Sequence, residues 1–412
     1  MRANVVVVGA GAAGCVIAAR LSQRSDRTVV LLEAGPDDVR RWPDLTATRT
    51  SQQALTQYAR GFGVGGSAAL NGMVANVGEH DDYDEWERVY GCAGWSWRDV
   101  RPWFRRVALP LRRPRRRELG PLSAAVLASV SGAERVRLTQ AADGRRASVD
   151  EVYLKPARER SNLQVRPNAL VDRVLFDGRR AVGVLLADGE TIEAATVVVC
   201  AGALHTPAIL LRSGVDRDAV GHGLHDHPSL SVAMRSSNAA EASLAVSVVV
   251  WATHVARHDI QLMPFESSQG SSLMAAAMRV HSRGHVRLAA SESVTNPLVD
   301  FNMLSDERDL DLLRAAARQA AAIATSAEIP LSDEALRAAV GEYVHAAGSC
   351  RMGAATDSLA VVDERCRVIA YQSLVVCDAS VMPNLPRANP CLPTVMIAER
   401  VSAWMDAELR VG

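Results

Sequence analysis

Asn4-Val5-Val6-Val7-Val8-Gly9-Ala10-Gly11-Ala12-Ala13-Gly14, continued by Cys15 to Leu21 and by Val29-Val30-Leu31-Leu32-Glu33-Ala34-Gly35, decides how this chain folds. Four successive valines read as a buried parallel strand, the glycines as a tight turn, Cys15 to Leu21 as a helix, and Val29 to Leu32 as a second strand ending on an acid. In such a unit Gly9 makes the turn, Gly11 lets the backbone approach a pyrophosphate, and Gly14 lets helix and strand pack closely. Free N–H groups at the helix start favour phosphate, and Glu33 can accept from a ribose diol. The ligand class is a dinucleotide; NAD and FAD stay open on this unit alone.

The 412 residues exceed one ordinary core and suit two domains, and 48% of them are apolar, enough to bury both. Basic and acidic residues balance at 46 each, so no global field draws the chain to nucleic acid or an anionic membrane. Lys155 is the only lysine, a bias best explained by a GC-rich genome. Seven cysteines without a CxxC pair point to a reducing compartment, so a cytoplasmic, soluble protein is expected. The apolar run after Arg2 belongs to the nucleotide unit rather than to a secretory leader. The best apolar run elsewhere, Leu244 to Trp251, is strand-sized and too short to span a bilayer.

Pro36 to Tyr58 has no clear period and reads as a loop or lid over the cofactor. Arg60 to Met73 then packs Gly61, Gly63, Gly65 and Gly66 ahead of Ser67 and Asn71-Gly72-Met73, a stretch whose backbone can lie against a flat or phosphorylated ligand. Gly65-Gly66-Ser67 running into Asn71-Gly72-Met73, with Asp82-Tyr83-Asp84-x-Trp86, resembles the first signature of the glucose–methanol–choline (GMC) flavoprotein oxidoreductases. Gly120-Pro121-Leu122, Tyr153 to Arg158 with Asn162-Leu163, and Gly202-Ala203-Leu204-His205-Thr206-Pro207 are similar to further landmarks of that family. The second signature normally closes on a glycine where Asp216 stands here.

The resemblance implies an α/β fold: a Rossmann-like FAD-binding domain from 1–79, 148–226 and 354–412, and a discontinuous α+β substrate domain with lid segments from 80–147 and 227–353. FAD contacts are implied for Gly9, Gly11, Ala12, Ala13, Gly14, Glu33, Ala34, Arg60, Gly65, Gly66, Ser67, Asn71, Gly72, Met73 and Val74. They continue at Val171, Ala201, Gly202, Asp378, Ala379, Asn389, Pro390 and Thr394. Some relatives tether FAD to a histidine preceding the signature asparagine; Leu70 stands there, so dissociable FAD is implied.

Arg112, Arg113, Arg115, Arg116 and Arg117 flank Pro114 and read as solvated surface. From Ser148 to Gly202 the pattern predicts Ala181 to Leu186, a turn at Asp188-Gly189, and Thr196 to Cys200, a three-stranded insert leading into another parallel strand. His222, His225, Asp226 and His227 lie within six residues, a spacing that raises a metal site; the family carries Asp-His-Pro at this domain crossover, and no metal is expected. Leu230 to Arg235, Leu244 to Trp251, Asp259 to Phe265, Ala275 to His281 and His285 to Leu288 predict an antiparallel sheet, half buried and half facing a cavity. Leu310, Leu313, Ala317 and Ala320 put an amphipathic helix over Asp309 to Thr325.

A single histidine such as His345 is more often structural than catalytic, but in the resemblance His345 stands where the family carries its catalytic base and Asn389 where it carries a second His or Asn. The implied activity is oxidation of a CH–OH group: His345 removes the hydroxyl proton, Asn389 steadies the alkoxide, and flavin N5 receives the hydride. Oxygen or another acceptor then takes the electrons. A hydroxynitrile-type lyase on the same scaffold, or a silent flavin-binding protein, are the alternatives. The chain is short for the family, with reduced loops at 36–60 and 100–148, which suits a small-molecule alcohol or a carrier- or peptide-bound one and a redox partner as acceptor. That compactness is similar to an actinobacterial subgroup associated with the redox peptide mycofactocin.

Overall fold

The computed structural model describes residues 2–234, 244–268, 270–324, 329 and 331–409. Its first sheet carries five parallel strands in the order Leu163–Arg166, Val29–Leu32, Arg2–Val8, Thr191–Val199 and Leu374–Val376. Val5, Val6 and Val7 are fully buried, as a strand covered on both faces requires. The helix Ala12–Leu21 begins three residues earlier than the sequence pattern suggests, because Gly11 serves as its N-cap.

Thr191–Val199 is one continuous strand rather than an insert followed by a separate strand. Its first half pairs antiparallel with Arg180–Leu186, which returns from Val171–Asp177, and its second half pairs parallel with Leu374–Val376. One edge of a nine-residue strand is thus long enough to serve two partners in succession.

The second sheet is antiparallel, in the order Gly341–Glu342, Pro228–Met234, Gly270–Ala277, Ile260–Ser267, Val248–Ala252 and Ala133–Arg135. Its side chains alternate strictly. Ile260, Leu262, Leu273, Ala275 and Ala277 pack under the helix Glu307–Ile323, whose Leu310, Leu313, Ala317 and Ala320 are fully buried. Met263, Met274 and Ala276 point the other way, into a separate apolar cluster with Val74, Val246 and Tyr343. One face therefore makes the core and the other makes a wall.

All five expected strands shift, because an apolar run does not mark its own ends: Leu230 to Arg235 is seen as Pro228–Met234, Leu244 to Trp251 as Val248–Ala252, Asp259 to Phe265 as Ile260–Ser267 and Ala275 to His281 as Gly270–Ala277. His285 to Leu288 is seen as Gly284–Arg287 and lies not in this sheet but in a separate three-stranded one with His222–Leu224 and Leu298–Asp300. Arg235 and Thr325, the expected ends of one strand and one helix, lie outside the described residues. The helix itself starts at Glu307, with the Asp306 side chain accepting from the Arg308 N–H.

The Gly120-Pro121-Leu122 landmark has a visible cause. Buried Glu266 accepts from the N–H groups of Leu122 and Ser123 (2.8 and 3.1 Å) and from the Ser123 hydroxyl (2.6 Å), capping the helix Pro121–Ser129 from the neighbouring sheet. A Cβ at position 120 would stand 2.5 Å from that carboxylate.

Candidate active site

Four of the five parallel strands open at their carboxyl ends on one cavity of about 650 Å³: Gly9, Glu33, Cys200 and Asp378 follow Arg2–Val8, Val29–Leu32, Thr191–Val199 and Leu374–Val376 and line it. Ligands of open α/β sheets bind outside the carboxyl ends of the strands, and this is such a place. Three helices also begin there, Ala12–Leu21, Gly202–Arg212 and Cys391–Glu408, with N-cap residues that bring no side-chain cap of their own. Their starts direct N–H groups and partial positive charge at the cavity.

Of the residues expected to hold a dinucleotide, Gly9, Gly11, Ala12, Ala13, Glu33, Ala34, Arg60, Gly66, Ser67, Asn71, Gly72, Val74, Val171, Ala201, Gly202, Asp378, Ala379, Asn389, Pro390 and Thr394 line this cavity. Gly14, Gly65 and Met73 do not. A Cβ on Gly14 would lie 1.8 Å from the Gly9 carbonyl oxygen, so Gly14 is required by helix-to-strand packing. Gly65, at φ +97°, donates to the Ala10 carbonyl (2.8 Å), and the Met73 carbonyl accepts from the Thr139 N–H. These three hold the wall from behind.

Glu33 accepts from the N–H groups of Ala10 (2.8 Å), Gly35 (3.0 Å) and Gly63 (3.2 Å), tying the first glycine turn to the second. Asp378 accepts from the Gly202 N–H (2.8 Å), the Thr206 hydroxyl (2.6 Å) and the Ser380 N–H (2.8 Å). Burial raises both carboxyl pKa values. Sequence reading missed Trp42 and His205, which stack at 4.0 Å and line the same cavity. His205 is held neutral, its pKa pushed down to about 4 by burial, and its Nε2 has no hydrogen-bond partner. A β-carbon at Gly11 or Gly202 would meet nothing within 4 Å, so the backbone there faces open space. Open glycine backbone and three helix starts on one cavity fit a dinucleotide.

On its other side the cavity holds His345, Asn389 and Tyr343. The Nδ2 of Asn389 lies 3.3 Å from the Nε2 of His345, and the Asn389 carbonyl oxygen accepts from Asn76 (3.3 Å). Tyr343 stacks on the His345 ring at 4.1 Å; its hydroxyl donates to Gln261 (2.5 Å) and touches the Met263 sulfur at 3.5 Å. Burial, with His227 and Arg60 nearby, pushes the His345 imidazole well below its usual range, which favours the neutral ring.

The histidine-rich stretch disperses. His225 is consumed structurally, its Nδ1 on the Gly223 carbonyl (2.7 Å) and its Nε2 accepting from the Leu385 N–H (3.0 Å), and His222 is exposed. Asp226 turns inward, accepting from the N–H groups of His227 (2.7 Å) and His345 (2.9 Å) and from the Tyr58 hydroxyl (2.8 Å). Asp226, His227 and His345 present possible ligand atoms within 4.8 Å of one another. The Asp226 carboxylate is spent on two backbone N–H groups and Tyr58, and the two Nδ1 atoms on each other, which argues for a hydrogen-bonded cluster.

An uncapped three-helix dinucleotide cavity closed by a neutral histidine and an amide is the site of a nucleotide-dependent oxidoreductase. Residues 3–229 match the N-terminal domain and residues 280–398 the C-terminal domain of the GMC oxidoreductases, and the chain belongs to that family of FAD-dependent enzymes. It is 33% identical to an uncharacterized GMC-type oxidoreductase from the thcA 5′ region of Rhodococcus erythropolis, over 97% of this chain and 98% of that one. It is 31% identical to a 5-(hydroxymethyl)furfural oxidase of Methylovorus sp., over 97% and 98% respectively. The crystal structure of pyridoxine 4-oxidase from Mesorbium loti superposes with a TM-score of 0.90 at 25% identity, covering 98% of this chain and 99% of that one. The alignment with the Rhodococcus protein runs over 492 positions, more than the 412 residues here, so that relative carries insertions this chain lacks.

Proposed function

We propose that this chain oxidises an uncharged, largely apolar alcohol in a reducing compartment, using non-covalently held FAD. The observation that carries the reading is the pair His345 Nε2 and Asn389 Nδ2, 3.3 Å apart on the cavity wall, where one acceptor and one donor can meet a single alcohol oxygen. His345 takes the hydroxyl proton at Nε2, which a neutral buried imidazole can do near neutral pH. Asn389 donates to the resulting alkoxide, and the apolar surroundings strengthen that contact. FAD, when bound, supplies the hydride acceptor for the carbinol hydrogen and passes the electrons to oxygen or another acceptor.

The wall beside the pair favours the substrate class. Met263, Phe265, Met274, Val246 and Val74 line it, and thioethers adapt to varied apolar shapes. Among the described residues the acids on the cavity are Glu33 and Asp378, both on the dinucleotide side, and Glu342, which is ion-paired with Arg49. A cationic alcohol such as choline meets no unpaired carboxylate there. Dissociable FAD is supported by Leu70, an aliphatic residue on the cavity wall where a tethering histidine would stand.

Anaerobic mixing of purified enzyme with alcohols tests the reading. Benzylic and aliphatic primary alcohols are expected to bleach the oxidised flavin band at lower concentration than choline, and His345→Ala to slow bleaching by ~10²–10⁴-fold. Full-rate bleaching in His345→Ala, or cyanohydrin cleavage with no bleaching by any alcohol, would overturn it.

A further inference from the structure

Two histidines far apart in the chain meet beside the cavity, and one of them is the candidate base. The segments 225–229 and 341–347 run antiparallel: Ser229 pairs with Gly341, Pro228 with Glu342, and His225 exchanges backbone hydrogen bonds with Ala347 (both 3.0 Å). That pairing lays His227 beside His345, with their Nδ1 atoms 3.0 Å apart and the rings nearly perpendicular at 85°.

A contact of that length between two imidazoles is a hydrogen bond, so one Nδ1 carries a proton and the other does not. Both rings are neutral, His227 being pushed down to about 3 by burial, so each carries one proton. The two tautomers are therefore locked in opposition. In one state His345 is protonated at Nδ1 and bare at Nε2, and His227 is protonated at Nε2. In the other, His345 carries its proton at Nε2 and has no lone pair toward the cavity.

Two contacts favour the first state, and Asp226 fixes the geometry in which they act. Asn76 donates to the Asn389 carbonyl oxygen, which turns the Asn389 amide N–H toward His345 Nε2 and requires a lone pair there. Asp226 grips the backbone N–H of both histidines, holding the rings in register. On the far side of His227, the Met278 main chain favours a proton on the ring, while Nε2 stays outside hydrogen-bonding range and is otherwise unpartnered.

We infer that His227 is a positioning residue that accepts the Nδ1 proton of His345, thereby fixing the tautomer that leaves His345 Nε2 bare toward the substrate. This rests on His345 as the base. Among the described residues the titratable and charged groups near the pair are Asp226, Tyr58, Arg60 and Tyr343, beside the Asn389 amide and the Met278 main chain, and no hydrogen bond joins His345 Nδ1 to any of them.

The test separates geometry from turnover. In the FAD-loaded enzyme, ¹⁵N shifts of His345, assigned by their loss in His345→Gln, should show a protonated Nδ1 and a bare Nε2. His227→Asn places an amide oxygen near the position of Nδ1 and should keep that pattern, with flavin reduction within about three-fold of wild type. His227→Gln carries its amide one bond further out, and His227→Leu has none. Both should populate the other tautomer and slow reduction about 10- to 100-fold, with the substrate concentration for half-maximal rate little changed. A protonated Nε2 in wild type, Gln rescuing as well as Asn, or one bound zinc per chain by elemental analysis would overturn the inference. Should Leu fail to fold, the Asn and Gln pair still decides. Wild-type enzyme that no alcohol reduces would sink the functional reading while leaving the tautomer measurable.

Discussion

Asp226 is the residue on which the site hangs. Its carboxylate accepts from two backbone N–H groups and the Tyr58 hydroxyl, and Tyr58 in turn takes Arg60 (2.9 Å) and the Ala346 N–H (3.2 Å). Asp226→Ala leaves three buried donors unpaired, each worth about 1–3 kcal/mol. A large fall in melting temperature is expected, together with slower flavin reduction. Asp226→Asn should be milder, since its oxygen can keep both N–H bonds while its amide meets a Tyr58 oxygen that is already saturated. Equal melting temperatures for the two variants would contradict this account. An Asp-His-Pro triplet is visible in the sequence, but that its acid holds a backbone 119 residues away is not.

Within single elements, position decides what a residue is for. Gly11 and Gly14 belong to one motif, yet a Cβ on Gly11 enters open cavity and one on Gly14 collides with backbone at 1.8 Å. Gly11→Ala should therefore melt within about 1 kcal/mol of wild type without cofactor, a normal cost for an N-cap change, and bind FAD at least ten-fold more weakly by flavin fluorescence. Gly14→Ala should fold poorly or not at all. Gly11→Ala retaining wild-type FAD affinity would show that the backbone does not approach the ligand there. Glu266 supplies a second case: removing the cap in Glu266→Ala should cost about 1–3 kcal/mol in chemical denaturation. No periodicity announces that cap, because donor and acceptor come from different elements 143 or more residues apart.

For the whole molecule, buried histidines set the response to acid. His205, His225, His227 and His345 are all depressed by burial, so the folded state binds fewer protons than the unfolded chain. A depressed histidine contributes stability that is complete above its unfolded value near 6.5 and is lost as pH falls toward the folded value. For His205, at about 4, and His227, at about 3, the loss by pH 5 is about 2 kcal/mol each. Asp82 and Asp226, raised to about 6 by burial, run the other way: their contribution is complete at low pH and is lost as pH rises through 6. They return about 1 kcal/mol each between pH 7 and 5. The histidines outweigh them, so melting temperature should fall between pH 7 and pH 5; a rise would refute the assignment of neutral buried rings.

Local chemistry makes much of this protein readable in its sequence. Strand, glycine turn, helix and acid are contiguous in Asn4 to Gly35, and their spacing is dictated by the phosphate-facing backbone itself. The amphipathic helix over Leu310 to Ala320 and the alternation of the substrate sheet are likewise local periods. The cavity side of that sheet was legible as a pattern, though Met263 and Met274 could not be matched to a partner from spacing alone. What only the tertiary structure decided is which side chains converge. His227 meets His345 across 118 residues, Asn389 turns its amide through Asn76, and Trp42 finds His205. Hydrogen bonds and stacking act over a few ångströms of space and not along the chain. The sequence by itself therefore determined the elements and the cofactor side, while the meeting of His227 with His345 arose only when two remote strands were laid side by side.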